Sequence, residues 1–512
     1  MHQSLLIDEI LSLIIRFVAA DGQGDPKRLE NTSSLAKLAR TCRCFMECAL
    51  DTLWRTQHSL SPLIMCLPRS IWEIHSSNVL YLTRPPTESE WARFDVYSRR
   101  VKSFSYPKQT KMIRLHEDAL PLLFSERSPQ SLFPSLSSLD FSILSCNSSS
   151  LIRDFLSPKL TNLAFTLPRK ICPQDICGIL EDLPRKATRL ENLAISSFFP
   201  VTSFELNIPT HGLPDLRRLV VSSSIRISAQ SMLNIASLRY VQELALNLHH
   251  DFDADVLRDR ANHSTFPALR RVNLVAYDLP QCTSIVSLIC SPQLEDVTVT
   301  YNVQARSSVI TSFLSAIGTS VRSISLRHNM QTHAIADPPF VFYPSTFAPL
   351  FACRNLRTIQ VYNLGTLNLD DDFIISAAKA WSKLEDIRLC SLPWSSIIPN
   401  ISLNALTALT RYCPKLTRVH LSLDAREIPE LPVDGLNTTG AQFLGVLNVR
   451  DSAIGHTESV AQFLRAIIPN MRTLYVEAHP ELRDKWMEVK AYYDRLSMPV
   501  VPALRNGSDS RP

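Results

Sequence analysis

Apolar residues recur along most of the chain in one short phrase, apolar-x-x-apolar-x-apolar. It reads LSSLDF at 136, LTNLAF at 160, LENLAI at 190, LRRLVV at 216, VQELAL at 241, LRRVNL at 269 and LEDVTV at 294. It continues as VRSISL at 321, LRTIQV at 356, LEDIRL at 384, LTRVHL at 416, LGVLNV at 444 and MRTLYV at 471, with VKSFSY at 101 as a degenerate first member. The last apolar pair of each phrase is spaced by two, as in Val419 and Leu421, the period of a half-buried strand. Between phrases lie stretches such as SSVITSFLSAI, DDFIISAAKAW and LNALTALTRYC, whose apolar residues recur at three and four and predict one-sided helices. LDDDF at 369–373 places carboxylates at a helix start, where free N–H groups and the dipole favour them. Prolines 158, 267, 292, 414 and 469 fall where a helix must stop, two residues before the next phrase.

From 136 onward the phrases start 24 to 35 residues apart, too close for separate domains. Such units bury their apolar faces only by stacking, which predicts an α/β solenoid with parallel strands inside and helices outside. This resembles the leucine-rich-repeat horseshoe, whose phrase is LxxLxLxxN. Its asparagine is matched at Asn302 and Asn329 and missing from most other copies, so a continuous asparagine ladder and even curvature are not expected. An ordinary doubly wound enzyme is disfavoured, because no glycine-rich strand-to-helix turn is present.

The first sixty residues follow another pattern. LLIDEILSLIIRFV reads as one amphipathic helix, and LAKLARTCRCFMECALDTLWRTQ as a second and third, with residues 19–34 as a long loop between them. The resulting plan is a helical module over 1–60, a helical or irregular connector over 61–100, the repeats over 101–480, and a terminal helix with a disordered tail over 481–512.

Composition narrows the function classes. Hydrophobic residues make up 45% of the 512, which excludes a largely disordered chain. The net charge of +5 announces no nucleic-acid binder, and no apolar run is long enough to span a bilayer. Asp8 and Glu9 inside the first apolar run argue against a signal peptide, so a cytoplasmic or nuclear protein with reduced thiols is expected. Twelve cysteines contain no CxxC, and the CRCFMEC run has no second Cys/His cluster to complete a zinc site. HHDFDAD at 249–255 lacks the glycine of a calcium loop, having Val256 there, and reads as a solvated loop. Arg93, Arg99, Arg100 and Lys102 stand beside Glu88, Glu90 and Asp95 and read as a mixed surface. No nucleophile elbow, HExxH or P-loop occurs, so no catalytic site, metal or cofactor is expected.

The N-terminal pattern resembles an F-box, which begins L-P-x-E-[IL]-L-x-x-I and ends in a Leu-Trp pair. The matching positions here are Leu6, Ile7, Asp8, Glu9, Ile10, Leu11 and Ile14, with Leu35, Leu38, Cys42 and Phe45 in the middle helix and Leu53 and Trp54 at the end. Ile7 stands where the family has proline. The order of helical module then repeats is similar to F-box-like leucine-rich-repeat proteins of filamentous fungi. The resemblance implies a non-catalytic substrate adaptor of an SCF-type cullin–RING ubiquitin ligase. In it Leu6, Ile7, Glu9, Ile10, Leu11, Ile14, Leu38, Cys42, Phe45, Leu53 and Trp54 would meet a Skp-family linker. A repeat scaffold whose helical start only covers the first repeat is the competing reading.

Residues that alternate with the buried positions of a strand face away from the helices. In early phrases these are small and neutral, such as Ser138, Ala164 and Ser196. Later they become the large or charged Tyr362, Asp386, Arg388, Arg418, His420, Arg450, Tyr475 and Glu477, which form the candidate surface for a protein substrate.

Overall fold

Each phrase forms one short parallel strand in the computed structural model of the 512-residue chain. The described residues are 8–20, 27–75, 78–106, 113–116, 118–142, 147–167, 173–197, 201–209, 212–221, 225–252, 257, 265–330, 339–392, 399–430, 442–477 and 479–497. They divide into two compact units, residues 1–252 with 264–266 and residues 253–263 with 267–512. Both units are α/β solenoids of the leucine-rich-repeat type.

In the first unit the ladder runs from Thr56–Gln57 through Ser103–Tyr106, Ser138–Ser142, Asn162–Leu167, Asn192–Ser197 and Arg218–Val221 to Glu243–Asn247. In the second it runs from Arg271–Ala276 through Asp296–Tyr301, Ser323–His328, Thr358–Tyr362, Asp386–Cys390, Arg418–Leu421 and Val446–Asn448 to Thr473–Tyr475. The register aligns like with like. Leu139, Leu163, Leu193, Leu219 and Leu244 form one row, and Val272, Val297, Ile324, Ile359, Ile387, Val419, Leu447 and Leu474 another. Both rows are buried. A slip of one residue would turn every one of them to solvent, so burial holds the register.

A second device starts most of the strands. The carbonyl at the second position of one phrase accepts two N–H groups from the next. Glu385 and Asp386 both donate to Arg357 O, Thr417 and Arg418 to Glu385 O, and Gly445 and Val446 to Thr417 O. The same pairing recurs in the first unit, where Glu191 and Asn192 donate to Thr161 O.

The connecting helices start on side-chain caps. Asp370 accepts from the Phe373 N–H at 2.9 Å, Asp278 from that of Gln281 and Ser402 from that of Asn404. Helix Leu403–Tyr412 ends at Cys413, just before Pro414. The asparagine rung is present where the sequence keeps it: Asn329 Nδ2 donates to Asn302 Oδ1 at 3.1 Å. Between these turns the fully buried His328 ring bridges Asn302 O and Asn363 O at 3.0 and 3.2 Å. Short extra pairs appear that alternation did not predict, Val341–Phe342 with Thr366–Leu367 and Asp424–Ala425 with Ala453–Ile454.

At the N-terminus α1 (Asp8–Ala20), α2 (Lys27–Leu38) and α3 (Arg43–Arg55) pack on one another. α2 begins inside the stretch expected to be a loop, because Lys, Arg, Leu and Glu at its start are good helix formers. The connector supplies strands Trp72–Ile74 and Val79–Leu82, which form a three-stranded sheet with Arg114–Leu115 from beyond the expected boundary at 100, and it carries helix Ala92–Ser98. Helix Pro480–Ser497 packs on Thr457–Ile467 and buries Trp486, Val489 and Tyr493, with Trp486 Nε1 donating to Ser452 O. Residues 498–512, the expected tail, lie outside the described residues. No described helix is long and apolar enough to cross a membrane.

Candidate functional site: a two-faced helix and a charged strand face

α1 is apolar on two sides. Its inner face carries Leu11 and Ile15, which form a core with Leu35 and Ala49, against which Val18, Leu38, Ala39, Phe45, Cys48 and Leu53 pack. Its outer face carries Ile10, Leu13, Ile14 and Phe17, which are 37, 55, 42 and 73% exposed. Their i, i+3, i+4, i+7 spacing makes a continuous stripe along one side of the helix.

This divides the set expected to meet a linker. Glu9, Ile10 and Ile14 are exposed. Leu11 is not on that face: it is 2% exposed, because its position turns it towards α2 and α3. Leu38, Phe45 and Leu53 are half-buried against the same core, and Cys42 is half-buried at the start of α3. Trp54 stacks on Tyr97 of helix Ala92–Ser98 with ring centroids 4.7 Å apart. Beside it Arg100, expected in a mixed surface, is buried and bridges Glu47 and Asp51 of α3. Trp54 and Arg100 therefore tie α3 to the end of the connector. Leu6 and Ile7 lie outside the described residues. Leu13 and Phe17 were not singled out, although the spacing of LLIDEILSLIIRFV already contained the stripe.

The second surface lies on the strands of the second unit. Gln360, Arg388, His420, Asn448 and Tyr475 align across five strands, with Thr358, Asp386, Arg418, Val446 and Thr473 in the neighbouring row. The side chains interlock. Arg388 donates from Nε and Nη2 to the two Asp386 oxygens at 2.8 and 2.7 Å, and from Nη1 to Tyr362 Oη at 3.0 Å. Arg418 Nε reaches Asp386 at 2.9 Å. Arg327 lies over the Tyr362 ring, 4.7 Å from its centroid. Arg450 Nη1 donates to Glu477 at 2.9 Å, and Asn448 Nδ2 donates to the other Glu477 oxygen at 2.8 Å.

Two expected contact residues are not available on this surface. Asp386 is 1% exposed because two guanidiniums cover it. Arg450 is 9% exposed; its positive φ of 51° tucks the side chain towards Ser391 O and Glu477. Arg388, Arg418, His420, Tyr362, Tyr475 and Glu477 remain half-buried or exposed.

The electrostatics follow the packing. The hydrogen bond to Asp386 raises the Arg388 pKa. Burial, then the nearby Arg388 charge, lowers that of His420. Burial raises the Tyr362 hydroxyl and pushes the Cys390 thiol to about 11, so neither is a ready nucleophile. In the HHDFDAD segment, His249 Nδ1 lies 2.5 Å from Asp251 Oδ1, and Arg226 pairs with the same carboxylate at 3.3 Å. Asp253 and Asp255 lie outside the described residues.

No protein-family model and no curated protein matches the chain. Among solved structures it is similar to a chain of the "Crystal structure of Rad7 and Elc1 complex in yeast", at 14% identity and a TM-score of 0.37, covering 76% of this chain and 88% of that one. It is also similar to the leucine-rich repeat-containing protein LegL7 from Legionella pneumophila, at 12% identity and a TM-score of 0.29, covering 76% of this chain and 98% of that one.

Proposed function

We propose that the chain is a non-catalytic adaptor of an SCF-type cullin–RING ubiquitin ligase. α1 docks a Skp-family linker through Ile10, Leu13, Ile14 and Phe17, and the strand face of the second unit holds a protein substrate. The observation that carries this reading is the double apolar face of α1. A helix that only covers the end of a repeat stack needs one apolar face and a polar outer one. The outer stripe exposes four large side chains, each of which gains about 1.5–3 kcal/mol when fully buried against a partner.

Trp54 and Arg100 support the role by fastening the module to the connector that leads into the repeats. The test is co-expression of the full chain with a Skp-family linker and affinity capture. Co-purification that is lost on Leu13→Asp with Phe17→Asp supports the adaptor. Absence of the linker from the wild-type capture, with other proteins retained, leaves a repeat scaffold with no ligase role.

A further inference from the structure

A cleft of about 910 Å³ opens in the second unit where strands Arg418–Leu421, Val446–Asn448 and Thr473–Tyr475 begin and helix Pro480–Ser497 passes. Its charged lining is Arg418, Arg465, Arg472, Lys490 and Asp494. The single carboxylate among them is already paired with Lys490. Phe443, 62% exposed, supplies an apolar wall.

The charge arises where an arginine of the ladder lacks a carboxylate beside it. Elsewhere in this unit, arginines at the second position of a phrase have a glutamate beside them across the ladder: Arg322 pairs with Glu295 at 3.5 Å and Arg357 with Glu385 at 3.3 Å. The row then continues as Thr417, Gly445 and Arg472, whose backbones are joined rung to rung. Arg472 thus faces a glycine where its counterparts face a carboxylate. Its guanidinium has no hydrogen-bond or ion-pair partner among the described residues. Gly445 also leaves space: an added Cβ would meet nothing nearer than Arg472 Cδ and Phe443 O, both at 3.9 Å. Arg465 spends one nitrogen on Pro469 O and Tyr493 Oη, and Arg418 one on Asp386. Both keep further donors.

We infer that this cleft binds a phosphate-bearing ligand. Guanidinium forks match phosphate oxygens in pairs, and several around one cleft suit a multiply charged anion better than a single carboxylate. The inference is independent of the proposed docking of a linker on α1, since none of the cleft residues belongs to that module.

The test uses the full chain and inorganic pyrophosphate, followed by calorimetry. One saturable site is expected, about tenfold weaker in Arg472→Ala. Gly445→Glu places a carboxylate against Arg472, as Glu385 stands to Arg357, and is expected to abolish binding. Arg357→Ala, in the same row but outside the cleft, leaves it unchanged. All three variants are expected to keep the ligand-free melting temperature. Flotation with phosphatidylcholine vesicles carrying phosphatidylinositol 4-phosphate separates the sources: capture there assigns the phosphate to a lipid headgroup, and capture must fail in the two cleft variants. Binding as tight in Arg472→Ala and Gly445→Glu as in the wild type, or no binding of either probe, overturns the inference.

Discussion

Arg388 bends back along its own strand and grips Asp386, donating to both carboxylate oxygens. The carboxylate is almost wholly removed from water, and Arg418 on the next strand closes it from the other side. A buried carboxylate is tolerable only when so paired. The arginines on this face therefore have a folding role as well as a surface one.

Removing the two arginines should be non-additive. Arg418→Ala is expected to cost under about 1 kcal/mol, since that side chain is half exposed. Arg388→Ala should cost about 1.5–3 kcal/mol through the lost paired hydrogen bonds. The double variant strands Asp386 in the protein and should exceed the sum, at about 3–5 kcal/mol. Urea midpoints of the three variants measure this, and simple addition would refute the shared-carboxylate account.

Ile387, between Asp386 and Arg388 in sequence, points the other way and is fully buried. Ile387→Asp is expected to destabilise by about 4 kcal/mol or more, because the new carboxylate meets no cation between strand and helix layers. Thermal melting is sufficient to see it. A loss no larger than that of Arg418→Ala would contradict the register.

His420 gives the strand face a pH dependence. Its folded pKa lies below the ordinary 6.5, from burial and from Arg388, while Asp386 and Glu477 partly offset this and Arg450 adds to it. Between the folded pKa and 6.5 the unfolded chain binds more protons than the folded one. Stability from this group is therefore complete above 6.5 and is lost as pH falls towards the folded pKa. His420→Gln is expected to flatten the fall in urea midpoint between neutral and mildly acidic pH. An unchanged slope would place the acid sensitivity elsewhere.

The faces of α1 predict opposite outcomes. Leu13→Asp and Phe17→Asp should each change stability by less than about 0.5 kcal/mol, because both side chains are mostly in water. Ile15→Ala, fully buried, is expected to cost about 2–5 kcal/mol. Protease resistance of the N-terminal module separates them. Melting of the module by Leu13→Asp would mean that the outer stripe already has an intramolecular partner.

Much of this was legible in the chain. The phrase positions predicted the buried rows from Leu139 to Leu474, since period-two burial needs only local spacing. Asp370 and Pro414 marked helix boundaries for equally local reasons. Asp386 was misread because its face was correct and its burial depends on two arginines, one of them a repeat away. Leu11 was misassigned because a family motif names positions without saying which side of the helix is already occupied. The short Val341–Phe342 and Thr366–Leu367 pairing joins segments too brief to carry a period. Arg472 escaped notice because its distinction lies in the glycine of the neighbouring repeat.

The two-to-one sharing of carbonyls at the start of most strands has a consequence for how such a chain can change over generations. The bonds are made by backbone alone, so at the second and third positions of a phrase they forbid little except proline, which lacks the N–H. Glu385, Thr417, Gly445 and Arg472 differ in size, charge and polarity, yet occupy equivalent places on the ladder. Substitutions there are screened for what they present outward and hardly at all for whether the rung forms. A chain built this way can rewrite its surface one residue at a time while the strand beneath stays in place.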